Sequence, residues 1–145
     1  MDLLLSIETI FAIIGTILAL QQIYKKNTKK AIQLFSMIAI IPVSFFSGIR
    51  HFFYRGSIIK TSTPFFEIRC GAINLAIVIS LIVAYLVSAS MQSYASILLV
   101  YTIYLIVAAI TTAKYISYKN TYIFIPMIII SIYFTIIAYQ YQNKK

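Results

Sequence analysis

The chain has no tryptophan, one cysteine, one histidine and three carboxylate side chains among 145 residues. Each scarcity excludes something. Cys70 alone forms no intrachain disulfide and no paired-cysteine metal or redox motif. His51 alone excludes a zinc site built from several histidines of one chain. No metal site and no cofactor are therefore expected. The sequence also lacks HExxH, a GxSxG elbow, a phosphate-cradling glycine loop and any paired-carboxylate arrangement. Cys70 with His51 is the one nucleophile–base combination available. Apolar neighbours disfavour the thiolate which that chemistry needs. The expectation is a protein that is not an enzyme.

What the chain has in abundance is apolar surface. It is 61% hydrophobic and 10% charged, with a mean hydropathy of +0.93. Five apolar runs are long enough to cross a bilayer, which takes about 20 helical residues. They cover about 3–24, 31–54, 65–88, 93–113 and 122–141. Stretches such as AIVISLIVAYL are apolar on every side, whereas a barrel strand alternates. A helix also satisfies its own backbone polar groups in hydrocarbon. The predicted fold is an all-α, polytopic helical bundle of about five transmembrane helices, forming a single membrane domain over 1–145. The N-terminal MDLLLSIETIF lacks the positive region of a secretory signal, so the first run is read as a retained span.

The net charge of +9 does not indicate nucleic acid. Lys25, Lys26, Lys29 and Lys30 separate two apolar runs, Lys114 and Lys119 flank another gap, and Lys144 and Lys145 end the chain. Basic residues so placed meet lipid headgroups and set orientation. The expected partner is the lipid bilayer, of a bacterial plasma membrane by the isoleucine, lysine and tyrosine bias. The dense KKNTKK loop and an acidic N-terminus favour an outside N-terminus and a cytoplasmic C-terminus. Tyr24, Tyr54, Tyr94, Tyr115, Tyr118, Tyr122, Tyr139 and Tyr141 stand near predicted span ends, as an interfacial aromatic belt does. SASMQSYAS, between the third and fourth runs, reads as a tight helical connection. Pro64 suits a helix start with Thr63 as its N-cap. Pro42 and Pro126 lie within spans and are expected to disturb them.

Charge inside a span costs about 2.5–3.5 kcal/mol at the centre on insertion scales, so its occurrences are informative. Glu8 lies about one and a half turns inside the first run. It is either a proton- or cation-binding carboxylate or a shallow residue reaching the headgroups. Arg50 and His51 fall near the exit of the second run, after Gly48. Glu67, Cys70 or Gly71, and Asn74 recur at i, i+3 or i+4, and i+7, hence on one helical face. Asn74 should face the bundle interior, where its amide finds partners. Arg69 points away, so Glu67 is expected to pair with Arg50 or another base. Arg50, Glu67, Asn74 and Glu8 are thus the candidate ligand-binding residues. The alternative is a structural clamp between the second and third spans.

The segments GIRHFF and FEIRCGAINLAIVISLI resemble a family of small multi-span bacterial membrane proteins without assigned activity. The matching positions are Gly48, Arg50, Glu67, Gly71 and Asn74, within about residues 45–82. In that family a glycine–arginine segment ends one helix and an acidic-glycine-x-x-Asn-leucine segment opens the next. Here Glu67-Ile68-Arg69 departs from its order and spacing. The resemblance implies an integral membrane protein and adds no chemistry.

Two functions follow as expectations. One is a transporter, channel or small-ligand-binding protein with a polar site where spans 2 and 3 meet, taking a small molecule or ion. The other is a structural or accessory subunit of a membrane protein complex. Ala108 with Thr112, and Ala109 with Ala113, give the fourth span small-residue spacings suited to a homo-oligomer or another membrane protein.

Overall fold

A computed structural model describes residues 3–53, 64–115, 122 and 124–142. The expectations for Tyr54, Thr63, Tyr118, Lys119, Lys144 and Lys145 lie outside the described residues. Among those described, the chain is helical throughout its elements. Helix α1 is Leu3–Tyr24, α2 is Thr28–Phe53, α3 is Pro64–Leu86, α4 is Met91–Tyr115 and α5 is Phe124–Gln142. Each contains a stretch long and apolar enough to cross a membrane. The protein is an all-α, multi-pass membrane protein. It packs as two compact units, Met1–Val87 and Ser88–Lys145.

The helix ends follow local chemistry. The Lys26 N–H donates to the Ile23 carbonyl at 2.9 Å, and the Asn27 N–H to that of Gln22 at 2.9 Å. That pattern closes α1 with a left-handed residue, here Lys26 at φ 58°. The Asn27 side chain then accepts from the Lys30 N–H at 3.3 Å and starts α2. Hydropathy places the second span's start at residue 31. The Asn27 cap carries the helix back to Thr28, so Lys29 and Lys30 are helical. Ser90 caps α4 in the same way, accepting from the Ser93 N–H at 3.3 Å. Pro64 opens α3, where a missing N–H breaks no bond.

Pro42 disturbs α2 as expected, in a specific form. Phe35–Ile40 is π-helical, between α-helical Thr28–Leu34 and Ile41–Phe53. The Ile41 N–H donates to the Ser36 carbonyl, five residues back. A proline ring crowds the carbonyl four residues before it and offers no donor. The wider turn relieves that conflict. Pro126 needs no such relief, because it lies in the first turn of α5.

In the first unit α1 packs on α2, and α2 on α3. The buried stripe of α1 is Glu8, Ala12, Thr16 and Ala19, with Gly15 beside it. Small side chains let the backbones close in. A Cβ on Gly15 would stand 2.8 Å from the Ala39 Cα and would strike the Ala39 nitrogen. Phe11 stacks on Phe46 with centroids 6.5 Å apart. Helices α2 and α3 meet at Gly48 and Gly71. A Cβ on Gly71 would lie 3.3 Å from the Gly48 carbonyl oxygen. The outward faces carry exposed Ile10, Ile13, Ile17, Ile79 and Val83, the surface a lipid-facing helix presents.

In the second unit α4 packs along α5. Ser131, Phe134 and Ala138 are buried on α5, and Leu98, Tyr101, Thr102, Leu105 and Ala109 on α4. Tyr94 departs from the interfacial belt and is fully buried. It falls on the same stripe as Leu98 and Tyr101, so helical phase overrides nearness to the span end. Tyr24, Tyr122 and Tyr139 are exposed, as belt residues are. Ala109 is buried, while Ala108, Thr112 and Ala113 are half-buried.

Candidate functional site

The polar residues gather in the first unit, on three helices. Glu8 of α1 is 6% exposed, although it is only a turn and a half from the start of its helix. Its side chain is turned into the bundle. Its Oε2 accepts from Arg50 Nη2 at 3.0 Å, joining α1 to α2 across 42 residues of chain. The side chains are 12% and 8% exposed for Arg50 and Glu8. The sequence leaves Glu67 to pair with Arg50 or another base. Arg50 turns to α1 instead, where Ala12 and Gly15 let the two helices approach.

Glu67 lies in the first turn of α3 and is 4% exposed. It stands one turn before Gly71, and the Gly48–Gly71 contact brings this end of α3 to the end of α2 that carries His51. Asn74, one turn below Cys70, is 1% exposed. Its Nδ2 donates to the Cys70 carbonyl at 3.0 Å. The face predicted for α3 is the one observed. Glu67, Gly71 and Asn74 are buried, Cys70 is half-buried, and Arg69 points outward. All four sequence-derived candidates, Glu8, Arg50, Glu67 and Asn74, are therefore inside the unit. Glu8 and Arg50 are bonded directly, and Glu67 and Asn74 share one side of α3.

Two nitrogens beside the ion pair are left over. Arg50 Nε and His51 Nδ1 are buried and meet no hydrogen-bond partner among the described residues. Deeper in the same unit, the hydroxyls of Thr16, Ser36 and Ser44 are also buried without a partner among the described residues. Elsewhere, hydroxyls in spans bond back to their own helix. Thr102 donates to the Leu98 carbonyl, and Thr111 to that of Val107, each at 2.8 Å. Ser131 of α5 resembles the first group. Buried polar atoms almost always find partners, so this set of orphans marks polar capacity inside the first unit. Sequence reasoning passed over Thr16, Ser36 and Ser44. The signal was there in part: Thr16 stands eight residues after Glu8, on the same helical face.

This neighbourhood offers two carboxylates, a guanidinium, an imidazole and an amide inside membrane-spanning helices. Such a set can hold a small polar or charged solute, or pass a proton between carboxylate and imidazole. Among the described residues, no group of three or more His, Cys, Asp and Glu side chains is arranged for a metal ion. The chain matches no known family, no curated protein and no solved structure.

Proposed function

We propose that this protein binds a small polar molecule or ion within its first unit, as a small transporter, channel or ligand-binding membrane protein of the bacterial plasma membrane. The observation that supports this most is the placement of acid. The chain has three carboxylate side chains, and Glu8 and Glu67 are both buried inside spans. Placing charge there is costly, and such residues commonly mark a solute or proton path. The unpartnered Arg50 Nε, His51 Nδ1 and buried hydroxyls extend the polar surface beyond what one ion pair needs.

A second reading has its own support. The 3.0 Å bond from Arg50 to Glu8, with the Gly48–Gly71 contact, also suits a clamp that fixes three helices in an accessory subunit of a larger complex. Native mass spectrometry of protein extracted gently from its own membrane separates the two. A small molecule held by the wild type and lost in Glu67→Gln, at unchanged yield, supports the binding site. A co-purifying membrane protein with no small ligand supports the accessory subunit.

A further inference from the structure

We propose a specific site for one anionic phospholipid on the first unit, away from the polar cluster. A groove of about 610 Å³ runs between the start of α2 and the end of α3. Asn27, Lys29, Lys30 and Gln33 form its polar end, and Leu34, Met37, Ile38 and Tyr85 its apolar continuation. The order along α2 is what a phospholipid requires. Two ammonium groups stand at the helix start, an amide follows, and Met37 lies about 10 Å further along the axis. The lysines meet the phosphate, their stems cover the groove wall, and the acyl chain continues over Leu34, Met37 and Ile38.

Charge selects the occupant. The two carboxylates among the described residues, Glu8 and Glu67, lie near the other end of α2: Glu8 is bonded to Arg50, and Glu67 is one turn before Gly71, which meets Gly48. Lys30 and Arg50 are about 30 Å apart along the helix. The positive charge of Lys29 and Lys30 is therefore uncompensated by any described acid, and both side chains are exposed. A zwitterionic headgroup would place its own cation against them. An anionic headgroup, such as phosphatidylglycerol, does not. Gly48 and Gly71 hold α2 and α3 together near the other end of α2.

The test uses the full-length protein in mixed micelles of phosphatidylglycerol and phosphatidylcholine, with bound lipid counted by native mass spectrometry. One phosphatidylglycerol per chain is expected in preference to phosphatidylcholine, and inorganic phosphate is expected not to displace it. Lys29→Gln with Lys30→Gln should lower its retention roughly 25-fold, about fivefold for each lysine beside an anionic surface. Lys25→Gln with Lys26→Gln removes the same charge from residues that do not line the groove, and should lower retention several-fold less than the first pair does. Tyr85→Ala keeps the charge and should weaken retention without changing the headgroup preference. Equal loss in both lysine pairs, equal retention of the two lipids, or displacement by inorganic phosphate would each overturn the site.

Discussion

Arg50 on α2 is bonded to Glu8 on α1 at 3.0 Å, and this pair ties together helices that begin 25 residues apart. Both side chains are largely withdrawn from solvent, so the two ways of breaking the pair should differ. Glu8→Gln leaves a guanidinium that stays charged at any accessible pH. Arg50→Met leaves a carboxylic acid, which can become neutral. Removing one partner of a buried pair costs about 3–5 kcal/mol. Glu8→Gln should fall at the upper end of that range and Arg50→Met below it. The double variant should recover at least half of the larger loss. Thermal unfolding in detergent measures all three. Equal, small losses in both single variants would mean that the pair is solvated and holds nothing together.

The glycines give a graded prediction. A Cβ at Gly15 would meet Ala39 backbone, which cannot rotate away. At Gly71 it would meet the Phe52 ring at 2.9 Å, and at Gly48 the Leu75 side chain at 3.1 Å. Overpacking costs about 1–3 kcal/mol, while alanine gains up to about 1 kcal/mol of helix propensity over glycine. Gly15→Ala should therefore be the most destabilising, Gly71→Ala intermediate and Gly48→Ala close to neutral. The order of midpoint temperatures across the series checks it. A Gly15→Ala variant as stable as Gly48→Ala would contradict the close α1–α2 approach.

The fold class was legible because long apolar runs admit few alternatives. Burial of Glu67 and Asn74 followed from their spacing, since i and i+7 share a face and Gly71 lies between them. The partner of Arg50 was not legible. Spacing within a helix gives the face of each residue, but the choice between Glu8 and Glu67 depends on how α1 lies against α2. Gly15 and Ala39 decide that, from separate parts of the chain. The π-helical turn was half visible. Pro42 announced a conflict in α2, but a kink, a break and a widened turn all resolve such a conflict. Tyr94 misled because nearness to a span end was weighed above its place in the Tyr94, Leu98, Tyr101 stripe.

Lys26 carries a local cost that can be removed. It ends α1 at φ 58°, a conformation that disfavours every side chain and suits glycine. The left-handed region costs an ordinary residue about 1–2 kcal/mol. Lys26→Gly should therefore stabilise the protein by about 0.5–1 kcal/mol, after allowance for glycine's freer unfolded chain. Lys25→Gly, one residue earlier, should not. The comparison of unfolding midpoints isolates the backbone effect, because both variants lose the same charge. Stabilisation of neither would mean that the closing turn at Lys26 is relaxed in the membrane.

The buried hydroxyls separate structure from function most directly. Thr16 Oγ1 is buried without a partner among the described residues, whereas Thr102 Oγ1 donates to the Leu98 carbonyl at 2.8 Å. Valine has nearly the shape of threonine and lacks the hydroxyl. Removing an unsatisfied buried group relieves a desolvation penalty of about 1–3 kcal/mol, and removing a bonded one loses about 0.5–1.5 kcal/mol. Thr16→Val should thus raise the unfolding midpoint and Thr102→Val should lower it. If the first unit carries polar solute or protons past Glu8, Thr16→Val should also lose ligand retention or transport while it gains stability. That combination is the signature of a group kept for activity at the expense of packing. A Thr16→Val protein that is more stable and equally active would confine any site to Glu67, His51 and Asn74 on the α2–α3 side.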